Sequence, residues 1–238
     1  MGKKRNIWND YFGSIRKKYS MRVSPSKPLV IDLDGKNVTA SKEFSLIDPS
    51  EGGFVDMMEQ TAKHFSEECN CLAIFGVDEI SFIFNSAESI IRKINSSQNY
   101  KNDEIISVFS QYFFDYFNGL NSKRKIFWHG KTYSISEDKI KSYIKYKSQS
   151  IMNVFTTYFL KRNMVKDAGN IELDKKLEMC NKYDTYKNIE EYASGILYLK
   201  GKRIDIEQYL EGNIVYIENE EKKQNIKYVD LKAFDDLI

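Results

Sequence analysis

The chain has 238 residues, 42% hydrophobic and 29% charged, which is typical of a globular protein with either one large domain or a domain with an appendage. Its net charge of +2 excludes nucleic-acid binding through bulk positive charge, so any such binding depends on local basic patches. No apolar run approaches the roughly 18 residues that a membrane span needs, and the basic N-terminus lacks the apolar stretch of a secretory signal. We therefore expect a cytoplasmic protein without membrane contact, whose three cysteines are reduced thiols.

The first half of the chain predicts a β-α-β-turn-β order. Residues 1–28 are basic and irregular, and either contact phosphates or form a solvated terminal segment. The apolar run at 29–33 predicts a buried strand that turns at Asp34-Gly35. Apolar spacing predicts a helix over 54–69, and two strands at 72–75 and 80–84 flank a turn at 76–79.

The second half predicts mainly helices, with a weaker pattern toward the C-terminus. The predicted elements are helices near 88–95 and 105–120, a strand within 125–135, a long helix over 138–159, short helices at 171–182 and 188–194, strands at 196–199 and 204–206, and a hairpin of 214–217 with 226–229. The aromatic stripes of these helices have helical spacing, which favours core packing over stacking on nucleobases.

Three carboxylates follow the predicted strands, namely Asp34, Asp78 and Glu79. If strands 29–33 and 72–75 are neighbours in one sheet, these side chains gather at one edge. Carboxylates that lie so close repel one another, and a divalent cation removes the conflict. Oxygen ligands suit Mg²⁺, and two such ions can activate an attacking hydroxyl and stabilise a leaving pyrophosphate. The alternative is that both motifs are only solvated turns.

Four segments resemble the tRNA-histidine guanylyltransferase family. They are Val30–Asn37, Thr61-Ala62, Gly76–Phe82 and Phe109–Phe113, and the resemblance extends over about residues 28–118. It implies an α+β fold with a palm (ferredoxin-like β-α-β-β-α-β) antiparallel sheet, helices packed on one face and a C-terminal α/β extension. The implied division is a basic segment 1–28, a palm catalytic domain 29–135, and a C-terminal part 136–238 packed on the palm.

The resemblance also implies an activity and a set of site residues. Members of the family add nucleotides from GTP or ATP to the 5′ end of tRNA or other RNA, using Mg²⁺, and assemble as tetramers or dimers. The implied catalytic residues are Asp34, Asp78 and Glu79; the implied metal ligands are Asp34, the Gly35 carbonyl and Asp78; the implied nucleotide contacts are Gly35, Lys36, Asn37 and Ser81.

Departures from the family pattern leave the acceptor open. Leu46–Pro49 stands where the family has a lysine that contacts triphosphate, and Thr39 stands near the position of a family histidine. Replacement phosphate contacts are Lys36, Lys42, Lys145 or Lys147, although the two on the long helix equally suit a solvated face. Two other hypotheses therefore remain: a palm that makes nucleotide signals without RNA, and a degenerate, non-catalytic palm that binds RNA or a partner.

Overall fold

The computed structural model describes Phe12 and residues 23–36, 38, 45–49, 53–94, 102–120, 125–217 and 228–229. The strands are β1 Leu29–Gly35, β2 Leu72–Gly76, β3 Glu79–Phe84, β4 Trp128–Ser134, β5 Ile196–Leu199, β6 Lys202–Ile204, β7 Ile214–Val215 and β8 Tyr228–Val229. The α-helices are α1 Phe54–Glu68, α2 Ala87–Ile94, α3 Asn102–Leu120, α4 Ile140–Arg162, α5 Leu173–Cys180, α6 Asp184–Lys187 and α7 Ile206–Glu211.

Six strands form one antiparallel sheet in the order β4-β1-β3-β2-β5-β6. Its first four strands have the ferredoxin-like order, which confirms the predicted palm. The condition that strands 29–33 and 72–75 are neighbours is not met, because β3 lies between β1 and β2. A tight hairpin joins β2 to β3, so the returning strand β3, and not β2, pairs with β1.

Apolar clusters cover both faces of the sheet, and successive side chains of each strand belong alternately to one cluster and the other. On β1, Leu29, Ile31 and Leu33 belong to the cluster beneath α1 and α3, as do the fully buried Phe109 and Phe113 of the predicted aromatic stripe. Val30 points to the other face, where the first half of α4 packs. Helices α1 to α3 thus cover one face as predicted, and α4 closes part of the second.

Helix α4 lies close against the sheet at the end of β2. A Cβ atom at Gly76 would lie 2.3 Å from Cγ2 of Ile151, so only glycine fits beneath the helix there. Tyr143, Lys147 and Ile151 are spaced four residues apart and are all buried, so they share the face of α4 that looks onto the sheet. Val154, further along α4, is 36% exposed.

The C-terminal third differs most from its prediction. Strands β5 and β6 extend the palm sheet beyond β2. The predicted strand at 204–206 is wrong beyond Ile204, because Asp205 caps α7 by accepting a hydrogen bond from the Gln208 backbone N–H (2.9 Å). The predicted hairpin is present in part as the pair β7–β8.

Two general predictions concern membranes and cysteines. Among the residues that the structure describes, no helix is both long and apolar enough to cross a membrane. Cys69, Cys71 and Cys180 are buried free thiols, as predicted. Apart from Phe12 and residues 23–28, the basic segment 1–28 lies outside the described residues, as do Thr39 and Lys42.

Candidate active site

Three adjacent strands present polar side chains on the face that looks toward α4. In the sheet register Asp34 of β1 lies opposite Glu79 of β3 and opposite His129 of β4. Because side chains alternate along a strand, the next row on this face contains Asp32. It lies between Ser81 and Lys131. Two rows of polar groups therefore cross the ends of β3, β1 and β4.

The third carboxylate, Asp78, lies in the two-residue turn between β2 and β3. Val77, the first residue of that turn, has φ 56°, a left-handed conformation that is strained for a β-branched residue. The backbone N–H of Gly35 donates to the carbonyl of Asp78 at 2.8 Å, which ties the end of β1 to the turn. Asp34, Gly35 and Asp78 are therefore held together by backbone contacts.

Asp78 is the carboxylate most disturbed by its surroundings. Burial raises the pKa of Asp78 from its ordinary 3.8 to about 6, and the neighbouring charge of Asp34 adds to the rise. Glu79 raises it further, while a backbone hydrogen bond and Lys147 oppose the shift. Negative charge is thus crowded at this end of the sheet, as the sequence predicts, and a bound cation would relieve it.

Glu79 is paired with a buried lysine of α4. Nζ of Lys147 lies 2.7 Å from Oε2 of Glu79 and 3.9 Å from Oδ1 of Asp32. The other oxygen of Glu79, Oε1, is buried and accepts no hydrogen bond from the part of the chain that the structure describes. Asp32 itself accepts hydrogen bonds from three hydroxyls, those of Ser81 (2.7 Å), Tyr133 (2.9 Å) and Tyr143.

These groups line an open cleft of about 130 Å³. Its lining residues are Asp32, Leu33, Asp34, Glu79, His129, Lys131 and Lys147. Asp34 is 55% exposed there and forms an ion pair with the equally exposed Lys36 at 3.7 Å. An exposed ion pair of this kind is weak, so either side chain can leave the pair and bind a ligand instead.

The predicted metal ligands have donor atoms that suit Mg²⁺, but the described side chains do not form a preformed metal site. Within the described residues, no group of three or more His, Cys, Asp or Glu side chains is arranged to hold a metal ion. Mg²⁺ commonly takes only one or two protein carboxylates and completes its shell with water and substrate phosphates. The oxygens of Asp34, Asp78 and the Gly35 carbonyl therefore suit Mg²⁺ that arrives with a nucleotide.

The structure brings most of the predicted site residues together. Asp34, Gly35, Lys36, Asp78 and Glu79 surround the end of β1, whereas Asn37 lies outside the described residues. The predicted role of Ser81 in nucleotide contact finds no support. Its side chain is fully buried and its hydroxyl donates to Asp32 inside the sheet.

The structure also decides between readings that the sequence left open for the basic residues. Lys145 is on the solvent side of α4, whereas Lys147 is buried against the carboxylates. His64 stacks on Tyr116 with ring centroids 4.0 Å apart, so it has a packing role. His129 is exposed and lies beside Asp34 in the cleft.

Sequence reasoning did not single out Asp32 and Lys147 as a pair, although each left a signal. Asp32 is a charged residue inside an otherwise apolar strand, two positions before Asp34 and so on the same face. Lys147 interrupts the buried stripe of α4 between Tyr143 and Ile151. A charge in an apolar stripe indicates a buried partner of opposite sign.

The sequence of this chain also matches a known protein family. The family model for Thg1, tRNAHis guanylyltransferase, matches residues 11–168, which is more than half of the chain. The chain belongs to the tRNAHis guanylyltransferase family. This is a nucleotidyltransferase family, and the resemblance noted in the sequence is thereby confirmed. Comparison with curated proteins gives no match.

Solved structures of tRNAHis guanylyltransferase-like proteins share the fold. A bacterial tRNA(His) guanylyltransferase (Thg1)-like protein in complex with GTP has a TM-score of 0.56 and 13% identity, covering 96% of this chain and 95% of that one. The same kind of bacterial protein in complex with ATP gives 0.54, with the same identity and coverage. The enzyme from Saccharomyces cerevisiae gives 0.55 at 17% identity, covering 81% of this chain and 94% of its own.

Proposed function

We propose that this protein is a metal-dependent nucleotidyltransferase that adds nucleotides from GTP or ATP to the 5′ end of tRNA or another RNA. The observation that carries the proposal is the cluster at the end of β1. There Asp34 lies opposite Glu79, and Asp78 is tied to Gly35, in a chain of the tRNAHis guanylyltransferase family. An acidic cluster of this kind can bind divalent cations. The cations then neutralise the negative charge of the phosphoryl groups that are transferred.

Asp34, the Gly35 carbonyl and Asp78 are the groups that would hold Mg²⁺, in one or two ions. The ions would supply charge neutralisation for the triphosphate and the leaving pyrophosphate. Two observations support the fit. Asp78 has a raised pKa because it is buried and because negative charge is crowded there, and Oε1 of Glu79 is a buried acceptor without a donor among the described residues. Both conditions are relieved when a cation and its water enter.

The remaining site residues have roles that follow from their positions. Lys36 is exposed beside Asp34, so its ammonium can leave that weak ion pair for a phosphate of the nucleotide. Gly35 must stay without a side chain, since an added Cβ would lie 2.7 Å from Cγ2 of Val38. Glu79 lines the cleft and can accept a hydrogen bond from a substrate hydroxyl. Asn37 keeps its proposed role as a nucleotide contact.

The substrates are proposed from the family and its relatives. Structures of bacterial relatives hold GTP or ATP, which supports a nucleoside triphosphate as donor. Family membership supports tRNA, or another RNA, as acceptor. We also propose that the protein is a homo-oligomer, a tetramer or a dimer, and that it works in the cytoplasm.

The test is a transfer assay with each α-³²P-labelled triphosphate and Mg²⁺. One set of reactions contains tRNA transcripts with a 5′-monophosphate or a 5′-triphosphate, and the other contains no RNA. The proposal predicts label at the 5′ end of the RNA, and no new labelled small molecule without RNA. Labelled cyclic or linear nucleotides in the RNA-free reactions would instead support a signal synthase. Absence of any product in both sets would support a non-catalytic palm.

A further inference from the structure

Lys147 is placed where an unpaired ammonium would be costly. Its side chain is only 3% exposed, on the face of α4 that packs against the sheet between Tyr143 and Ile151. A buried charge is tolerated when it is paired and hydrogen-bonded. Its Nζ donates to Oε2 of Glu79 at 2.7 Å and lies 3.9 Å from Oδ1 of Asp32. The lysine therefore depends on two carboxylates from two different strands.

Asp32 is the fixed member of this group. Hydroxyls of Ser81, Tyr133 and Tyr143 donate to its two oxygens, and they come from β3, β4 and α4. A carboxylate bonded from three elements cannot turn without breaking contacts within the core. Asp32 thus provides a stationary negative charge that holds the ammonium of Lys147 beneath Glu79.

Glu79 is the member of the group that meets the cleft. Lys147 donates to Oε2, and Oε1 is buried and has no hydrogen-bond donor among the residues that the structure describes. Buried acceptors in proteins are nearly always satisfied, so the carboxylate of Glu79 has capacity for a further donor that these residues do not supply. Because Glu79 lies opposite Asp34 across the strands, that donor would sit beside the proposed cation ligands.

We propose that Lys147 is a positioning residue that fixes the carboxylate of Glu79 at the wall of the cleft. Asp32 anchors the lysine, the lysine holds Oε2, and the carboxylate so fixed accepts a hydrogen bond from a hydroxyl of the substrate or from a water of the cation's shell. This inference rests on the proposed nucleotidyl transfer. It replaces direct phosphate contact as the role of Lys147, since the enclosed ammonium already serves two carboxylates.

A double-mutant cycle between Lys147 and Glu79 tests the inference. Loss of an outer partner of a metal-site residue typically lowers activity by about 10- to 100-fold. Lys147→Met is expected to lower kcat in that range while KM for the triphosphate stays unchanged. In a Glu79→Gln background the same change should have little further effect, because the group that it acts through is already altered. Lys147→Arg, which keeps the charge, is expected to restore part of the lost kcat.

Lys176 provides a matched control. It is also a buried lysine, 1% exposed on α5, but its Nζ donates to neutral partners, Oδ1 of Asn153 and Oγ1 of Thr157, both at 2.7 Å. Lys176→Met is expected to leave kcat at the wild-type value, even if thermal unfolding occurs at a lower temperature. If Lys176→Met lost as much kcat as Lys147→Met, the loss would come from burying a methionine and not from the broken contact with Glu79. That result would contradict the positioning role.

Three other results would overturn the positioning role. They are a raised KM with unchanged kcat in Lys147→Met, losses that multiply in the double variant, and wild-type kinetics in Lys147→Met. If Lys147→Met does not fold, Lys147→Gln, which removes the charge but keeps a polar end, carries the same cycle. If the wild type transfers no nucleotide, the proposed function is wrong. Crystal structures of the wild type and of the lysine variant then test the positioning of Glu79 by itself. Glu79 should leave its position in the lysine variant, and an unmoved Glu79 would contradict the inference.

Discussion

Replacing Asp78 by asparagine should stabilise the metal-free protein. The folded structure raises the pKa of Asp78 from 3.8 to about 6, chiefly because the carboxyl is buried and faces Asp34. The unfolded chain therefore loses its proton first as the pH rises. Asp78 therefore does not lower the free energy of unfolding below pH 3.8. The free energy of unfolding decreases between pH 3.8 and pH 6, and above pH 6 it stays lower by the full amount.

The size of the effect follows from the shift. About two pKa units at 1.36 kcal/mol each give a cost of about 3 kcal/mol for ionised Asp78 at pH 8. Asparagine has nearly the same shape and no charge, so Asp78→Asn should recover that amount. In a chain of this size the gain corresponds to a rise in Tm of roughly 6–12 °C.

The assay is urea unfolding of both proteins in EDTA at pH 8 and at pH 4. We expect Asp78→Asn to be more stable at pH 8 and nearly equal to the wild type at pH 4. Asp184→Asn is the control, because this carboxylate is 95% exposed in a surface pair with Lys187 and its loss should change stability by less than about 1 kcal/mol. Mg²⁺ with a triphosphate should stabilise the wild type but not Asp78→Asn. A variant less stable than the wild type at pH 8, or a difference that does not depend on pH, would refute the reasoning.

Two further predictions concern the backbone that supports the carboxylates. Val77 has φ 56°, and a left-handed residue with a Cβ costs about 1–2 kcal/mol, so Val77→Gly should be more stable than Val77→Ala by about 1 kcal/mol in urea unfolding. Equal stabilities would show that the turn is not strained. Gly35→Ala places a Cβ 2.7 Å from Cγ2 of Val38, so it should cost about 1–3 kcal/mol in the same assay and reduce Mg²⁺–triphosphate binding in calorimetry. Unchanged binding would mean that the end of β1 is not part of the site.

The local pattern of the sequence predicts the palm elements because each has a clear period and clear ends. The helix at 54–69, for example, follows from apolar spacing and is observed as Phe54–Glu68. The order of strands is a different matter. It depends on contacts between distant segments, and a tight hairpin places β3 rather than β2 against β1. The carboxylates still lie together, because Glu79 begins β3 and pairs directly with Asp34.

The buried charges beneath the site were harder to predict, since each partner lies on a different element. Lys147 and Glu79 are 68 positions apart, and no local period indicates that they meet. By contrast, α7 had local signals that the prediction overlooked. Asp205 caps its start, and Gly212, with φ 108°, ends it in a left-handed conformation that glycine adopts readily.

The most direct test of the account is nucleotidyl transfer by Asp34→Asn. Asp34 is exposed in the cleft and takes no part in the apolar clusters, so its replacement should leave folding intact by circular dichroism and thermal unfolding. The account predicts that the wild type and Asp184→Asn label the 5′ end of RNA from a triphosphate in Mg²⁺ and not in EDTA. Asp34→Asn should label no RNA above background. Full transfer by folded Asp34→Asn would contradict the assignment of the acidic cluster as the active site.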